Sequence, residues 1–223
     1  MKPKRLLLLL AGVAALCLCS LPARAGVLFT DLGPTGSVYN CCTGWTVSGS
    51  GAVGNSFVAA NEFTVAGIGS LSVGEIDLGV SVADGHAATF YASIWTDDAH
   101  SPGTELASWN LSTSTLFGTC CGLVSETGIT GLTLTGGQQY FMVLGPLSLS
   151  DNSWTPWNWN STGVTGLDLY SENGGSWHNN GTQTLGAFEI DGAASGVPEP
   201  GALLLLGTGF IAILGAARRK LNR

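Results

Sequence analysis

Between Arg24 and Arg218 the chain has no lysine and no arginine, although its 223 residues include 15 Asp and Glu. All eight basic residues lie in residues 1–25 and 198–223, and fourteen of the fifteen acidic ones lie in residues 26–197. The interior therefore carries a formal charge of −14. Without Lys or Arg there is no pairing of carboxylates with those cations, so stability must rest on apolar burial, backbone pairing and disulfides. Nucleic acid is excluded as a partner, since nothing in this region neutralises a phosphate, and an anionic membrane surface would repel it. The acidity reads first as a solubility feature, with calcium or a cationic polymer as the other use. Catalytic motifs are also missing. His86, His100 and His178 fall in loop-like contexts, and none belongs to an HExxH or G-x-S-x-G setting. Asp97 and Asp98 do not follow calcium-loop spacing. No catalytic residue, metal or cofactor is expected.

What is present begins with an export signal. MKPKR is a basic start, Leu6 to Cys19 is apolar, and Ala23-Arg24-Ala25 gives the small-x-small pattern that signal peptidase cleaves. Cleavage after Ala25 leaves Gly26 as the mature N-terminus. Leu16 and Leu18 stand before Cys17 and Cys19, where a lipoprotein signal requires a small residue.

Once the signal is removed, four cysteines remain in two adjacent pairs, Cys41-Cys42 and Cys120-Cys121. An even number in an exported chain points to disulfides. Neighbouring Cα atoms across a trans peptide are about 3.8 Å apart, below the usual disulfide window of roughly 4.4–6.8 Å. At least one bridge joining the two pairs is therefore expected, worth roughly 4 kcal/mol on the chain-entropy account. Adjacent cysteines are a poor pattern for zinc.

The body, residues 26–190, alternates apolar and polar residues at period two. SLSVGEIDLGVSV places Leu71 and Val73 on one phase and resumes after Gly74-Glu75 with Ile76, Leu78, Val80 and Val82. ATFYASIWTD sets Phe90, Ala92 and Ile94 against Tyr91, Ser93 and Trp95. GLTLTGGQQYFMVLGPL and LDLYSENGGSWH each read as strand, glycine turn, strand, and LGAFEID as a last strand. Such runs, broken by Gly, Asn and Asp, indicate an all-β fold, an antiparallel β-sandwich of jelly-roll type. A signal helix would precede it and a transmembrane helix would follow it. Residues 191–197 have linker composition.

Binding residues are sought in WTPWNWN, which holds Trp154, Trp157 and Trp159 with flanking asparagines. An indole offers a flat apolar face with a polar edge, which suits a sugar ring. At strand spacing Trp157 and Trp159 share a face, either a platform or part of the core.

The chain closes with Pro198-Glu199-Pro200, seventeen apolar residues (201–217) and RRKLNR. At 1.5 Å per residue the apolar run reaches about 26 Å, just enough to span a bilayer. The basic end stays cytoplasmic by the positive-inside rule. Residues 198–223 resemble the PEP-CTERM sorting signal of exported Gram-negative bacterial proteins. That resemblance implies recognition of Pro-Glu-Pro by exosortase, a membrane-embedded cysteine transpeptidase, and processing of the tail. More weakly, ASIWTDDAHSPGTELAS and GLTLTGGQQYFMVLGP are similar to choice-of-anchor domains, β-sandwiches without established catalytic roles. The expectation is an exported, non-enzymatic protein that passes through an inner-membrane intermediate to the cell surface or extracellular matrix. The alternative is a carbohydrate-binding module that contacts exopolysaccharide through residues 154–159.

Overall fold

A computed structural model describes residues 26–194. The expected signal peptide with Ala23 and Ala25, the Pro198-Glu199-Pro200 motif and the apolar run 201–217 lie outside the described residues. In chain order the elements are β1 (Gly26–Thr30), β2 (Tyr39–Trp45), α1 (Ser50–Val53), β3 (Phe57–Thr64), β4 (Ser70–Leu78), β5 (Ala88–Asp97) and β6 (Pro102–Thr113). They continue with β7 (Val124–Thr127), β8 (Thr133–Thr135), β9 (Gln139–Pro146), β10 (Trp157–Asn160), β11 (Thr165–Glu172), β12 (Trp177–Thr184) and β13 (Phe188–Ala194). The four-residue α1 is the one helix among the described residues, none of which forms a helix long and apolar enough to cross a membrane.

The strands form two antiparallel sheets and a ribbon. One sheet has the order β12-β11-β3-β9-β5-β6. The other runs β1-β13-β4-β7, with β8 also on β4, and β10 pairs β2 in the ribbon. Alternation decides which side chains meet between the sheets. Phe90, Ala92 and Ile94 of β5 and Met142 and Leu144 of β9 are fully buried in the same cluster as Ile76 and Leu78 of β4 and Phe188 and Ile190 of β13. Phe188 is the aromatic centre: its ring stands 4.5 Å from Phe29, 5.4 Å from Phe63 and 5.7 Å from Trp157.

The break in alternation at Gly74-Glu75 has a structural cause. Residues 70–72 of β4 pair with β8, and residues 75–78 pair with β7. The phase changes where one strand exchanges partners, so Leu71, Val73, Ile76 and Leu78 all reach the core.

The two glycine turns have different tertiary roles. Asn173-Gly174, both at positive φ, closes a true hairpin between β11 and β12. Gly136-Gly137 instead carries the chain from β8 in one sheet to β9 in the other. A side chain at Gly136 would collide with the backbone of Gly67 and Ile68, so this crossing depends on the missing Cβ.

β13 runs to Ala194, with Asp191 and Gly192 opposite Val27 and Gly26 of β1. Residues 191–194, expected as linker, thus belong to the sheet. Backbone pairing outweighs their small-residue composition. As the charge distribution requires, the one ion pair among the described residues uses histidine: His100 Nδ1 lies 3.0 Å from Glu62 Oε1. The hydrogen bond that the imidazole donates to the Glu62 carboxylate raises the His100 pKa.

Candidate functional site

The β2–β10 ribbon gathers most of the residues singled out in the sequence. Trp157 pairs with Trp45 across it, and Asn158 with Gly44. Trp157 is completely buried, its Nε1 donating to the Ala187 carbonyl at 3.1 Å. It therefore cannot be the glycan contact anticipated for it: its apolar area fills the junction between the ribbon and β13. Trp154 is half-buried in a single bridge to Ser48.

Trp159 remains half-buried, with its ring 5.3 Å from that of Trp45 and inclined at 53°. Its Nε1 is buried without a hydrogen-bond partner. The indole borders an open groove of about 570 Å3 shared with Tyr39, Asn40, Cys41, Cys120 and Asn160. Asn160 itself is spoken for, its Nδ2 donating to the carbonyls of Val164 and Leu185.

Both cysteine pairs come to this groove. Gly118 N–H donates to the Cys41 carbonyl at 2.7 Å, and the Tyr39 hydroxyl donates to the Gly122 carbonyl at 3.1 Å. The 118–122 loop is thus fastened to β2 at both ends. The Cys120 and Cys121 sulfurs lie 3.7 and 3.9 Å from the Tyr39 carbonyl. The two pairs are thus neighbours in space. Within the first pair the Cys41 and Cys42 sulfurs lie 3.2 Å apart.

On the other side of Trp45 lies a second opening of about 350 Å3, which sequence reading missed. Trp45, Phe57 and Tyr170 supply aromatic walls, Ala59 and Asp168 a floor, and Asn180 an exposed rim. Strand alternation explains the set: Ala59 of β3 lies opposite Tyr170 of β11, and Asn61 lies opposite Asp168. Trp45 is fixed by its Nε1, which donates to the Thr184 carbonyl at 3.0 Å. Tyr170 stacks on His178 with centroids 5.1 Å apart.

A hydrogen-bonded chain runs from the core to the rim. Gly186 N–H donates to Asn61 Oδ1 at 2.6 Å, and Asn61 Nδ2 donates to Asp168 Oδ1 at 2.7 Å. Asn180 Nδ2 donates to Asp168 Oδ2, also at 2.7 Å. Burial pushes the Asp168 pKa up to about 6, against the opposing effect of the two amide donors. Only scattered single residues mark this cleft in the sequence. Trp45, alone in a Thr- and Gly-rich run, was the one available signal.

The remaining candidates are local turn features. Asp84 Oδ1 accepts the backbone N–H of His86 at 3.0 Å, and Asp97 Oδ1 that of His100 at 2.7 Å.

Comparison with curated proteins finds no match. Among solved structures, similarity is found to the crystal structure of the cysteine protease and lectin-like domains of Cwp84, a surface layer associated protein of Clostridium difficile. Identity is 11% and the TM-score 0.42, over 62% of this chain and 32% of that one. That likeness is too distant to set fold or activity. At the C-terminus the match is to a protein-family description, PEP-CTERM protein-sorting motif, over residues 196–220. This chain therefore carries a PEP-CTERM sorting motif behind an acidic, all-β body.

Proposed function

We propose that the mature product is a non-enzymatic protein of the cell surface or extracellular matrix, released to its site after exosortase acts at Pro198-Glu199-Pro200. The motif at 196–220 carries this reading, because it implies exosortase-dependent sorting of an exported protein. The charge distribution is consistent with it: every Lys and Arg lies in a terminal segment that this processing would discard or leave on the cytoplasmic side. Signal peptidase would act first, after Ala25, while the apolar stretch 201–217 holds the chain in the membrane. Prolines at 198 and 200 keep the recognition segment out of helix, open to an enzyme.

The test is intact mass spectrometry of the protein from its own host, with and without exosortase. A chain ending near residues 198–200 only when exosortase is present is expected. A product that keeps Arg223 in both strains would overturn the reading.

A second reading, that the body binds polysaccharide of the envelope or its surroundings, is favoured by the partly exposed indoles of Trp45 and Trp159 beside openings with amide groups.

A further inference from the structure

We propose that the cleft between β2 and the β11–β12 hairpin, walled by Trp45 and Tyr170 and rimmed by Asn180, binds an uncharged saccharide. The inference rests on the polysaccharide reading above and moves its site from residues 154–159 to the opposite side of Trp45.

Size and lining are the first support. A volume of about 350 Å3 lies in the range of small-ligand pockets and suits one or two sugar rings. Trp45, Phe57 and Tyr170 line it together with the small side chain of Ala59. A sugar ring has an apolar C–H face and a rim of hydroxyls, so it needs an aromatic wall and nearby polar groups together.

Preorganisation is the second. Trp45 is held on one edge by the Thr184 carbonyl and backed by Trp159. The donation from Asn180 Nδ2 to Asp168 fixes which way that amide points. Its Oδ1 is left as an acceptor at the exposed rim. Asp168 is in turn held by Asn61, inside the sheet. The contacts sit on paired strands, so little ordering is required when a ligand arrives.

Charge decides the ligand class. The cleft holds no cationic side chain, and the described residues include no Lys or Arg to draw in a uronate, sulfate or phosphate. An anionic polymer would instead meet Asp168 and the acidic body around it. The ligand that fits is neutral.

The experiment uses the exported product purified from its host, titrated with cellohexaose, maltohexaose, xylohexaose and mannohexaose, and with a polyuronate as the charged comparison. At least one neutral oligosaccharide is expected to bind and the polyuronate to fail. Trp45→Ala and Asn180→Ala should each weaken binding by about tenfold or more, whereas Asn40→Ala, at the exposed edge of the other groove, should change it less than about twofold. Asn180 lies at the rim, so its variant stays informative even if Trp45→Ala fails to fold; circular dichroism identifies that case. Loss of binding with Asn40→Ala but not with Asn180→Ala would overturn the cleft while keeping the polysaccharide reading. Preference for the polyuronate would overturn the neutral class. No binding to any of these ligands would overturn both the cleft and the polysaccharide reading.

Discussion

The indole of Trp157 occupies the space in which a side chain on Gly186 would stand. The ring has nowhere to retreat, because its Nε1 is bonded to the Ala187 carbonyl and its other contacts include Phe188. Gly186→Ala is therefore expected to destabilise the domain by about 1–3 kcal/mol, the usual cost of overpacking. In a thermal melt this is a fall of several degrees; an unchanged Tm would mean that the ribbon and β13 can separate without penalty.

Phe188 should be the most sensitive core position, since three aromatic rings pack on it from β1, β3 and β10. Phe188→Ala is expected to cost about 3–5 kcal/mol. Urea unfolding should show a lower midpoint with the same slope. A loss below about 1 kcal/mol would show that the neighbouring rings collapse into the space.

Asp31 is expected to make the domain more stable in acid than near neutrality. Its side chain is buried, Oδ1 accepts the Phe188 N–H at 2.7 Å, and Oδ2 has no partner. Burial raises its pKa from 3.8 to about 8, the Phe188 N–H opposing the shift. The folded state then binds a proton more tightly than the unfolded chain. The resulting stabilisation is complete below pH about 4 and is lost as pH rises through about 8. Asp168 acts with the same sign up to pH about 6. Tm should fall between pH 5 and pH 8, and Asp31→Asn, which keeps an acceptor for Phe188, should flatten the slope. Parallel slopes for the two proteins would refute this account.

Tyr39 fastens the 118–122 loop through its hydroxyl. In Tyr39→Phe, amide exchange in that loop should quicken, with a stability loss of about 0.5–1.5 kcal/mol, the net worth of one hydrogen bond. Hydrogen exchange read by mass spectrometry distinguishes this from a general loosening, in which β5 and β9 would exchange faster as well.

Local pattern and tertiary assembly contributed unequally to these features. Period-two alternation in 88–97 and the phase break at Gly74-Glu75 were legible in the sequence, because burial on one face of a strand imposes them directly. The two glycine turns read alike, yet one closes a hairpin and the other crosses between sheets. Turn residues specify a local bend; which sheet receives the next strand depends on partners far away in the chain. In WTPWNWN the residue types were informative but their fates were not. Trp157 went to the core and Trp159 to a groove, because the bulge between Asn158 and Asn160 and the packing of β13 set their surroundings.

By itself the sequence determined the C-terminal sorting motif and the acidity of the body before it, since each depends on contiguous residues or on a count. It also determined the all-β character, through alternation. Only the tertiary structure decided that Trp45, Asp168, Tyr170 and Asn180 share one cleft and that the two cysteine pairs meet at β2. Those residues stand far apart along the chain, and antiparallel pairing across sheets is what makes them neighbours.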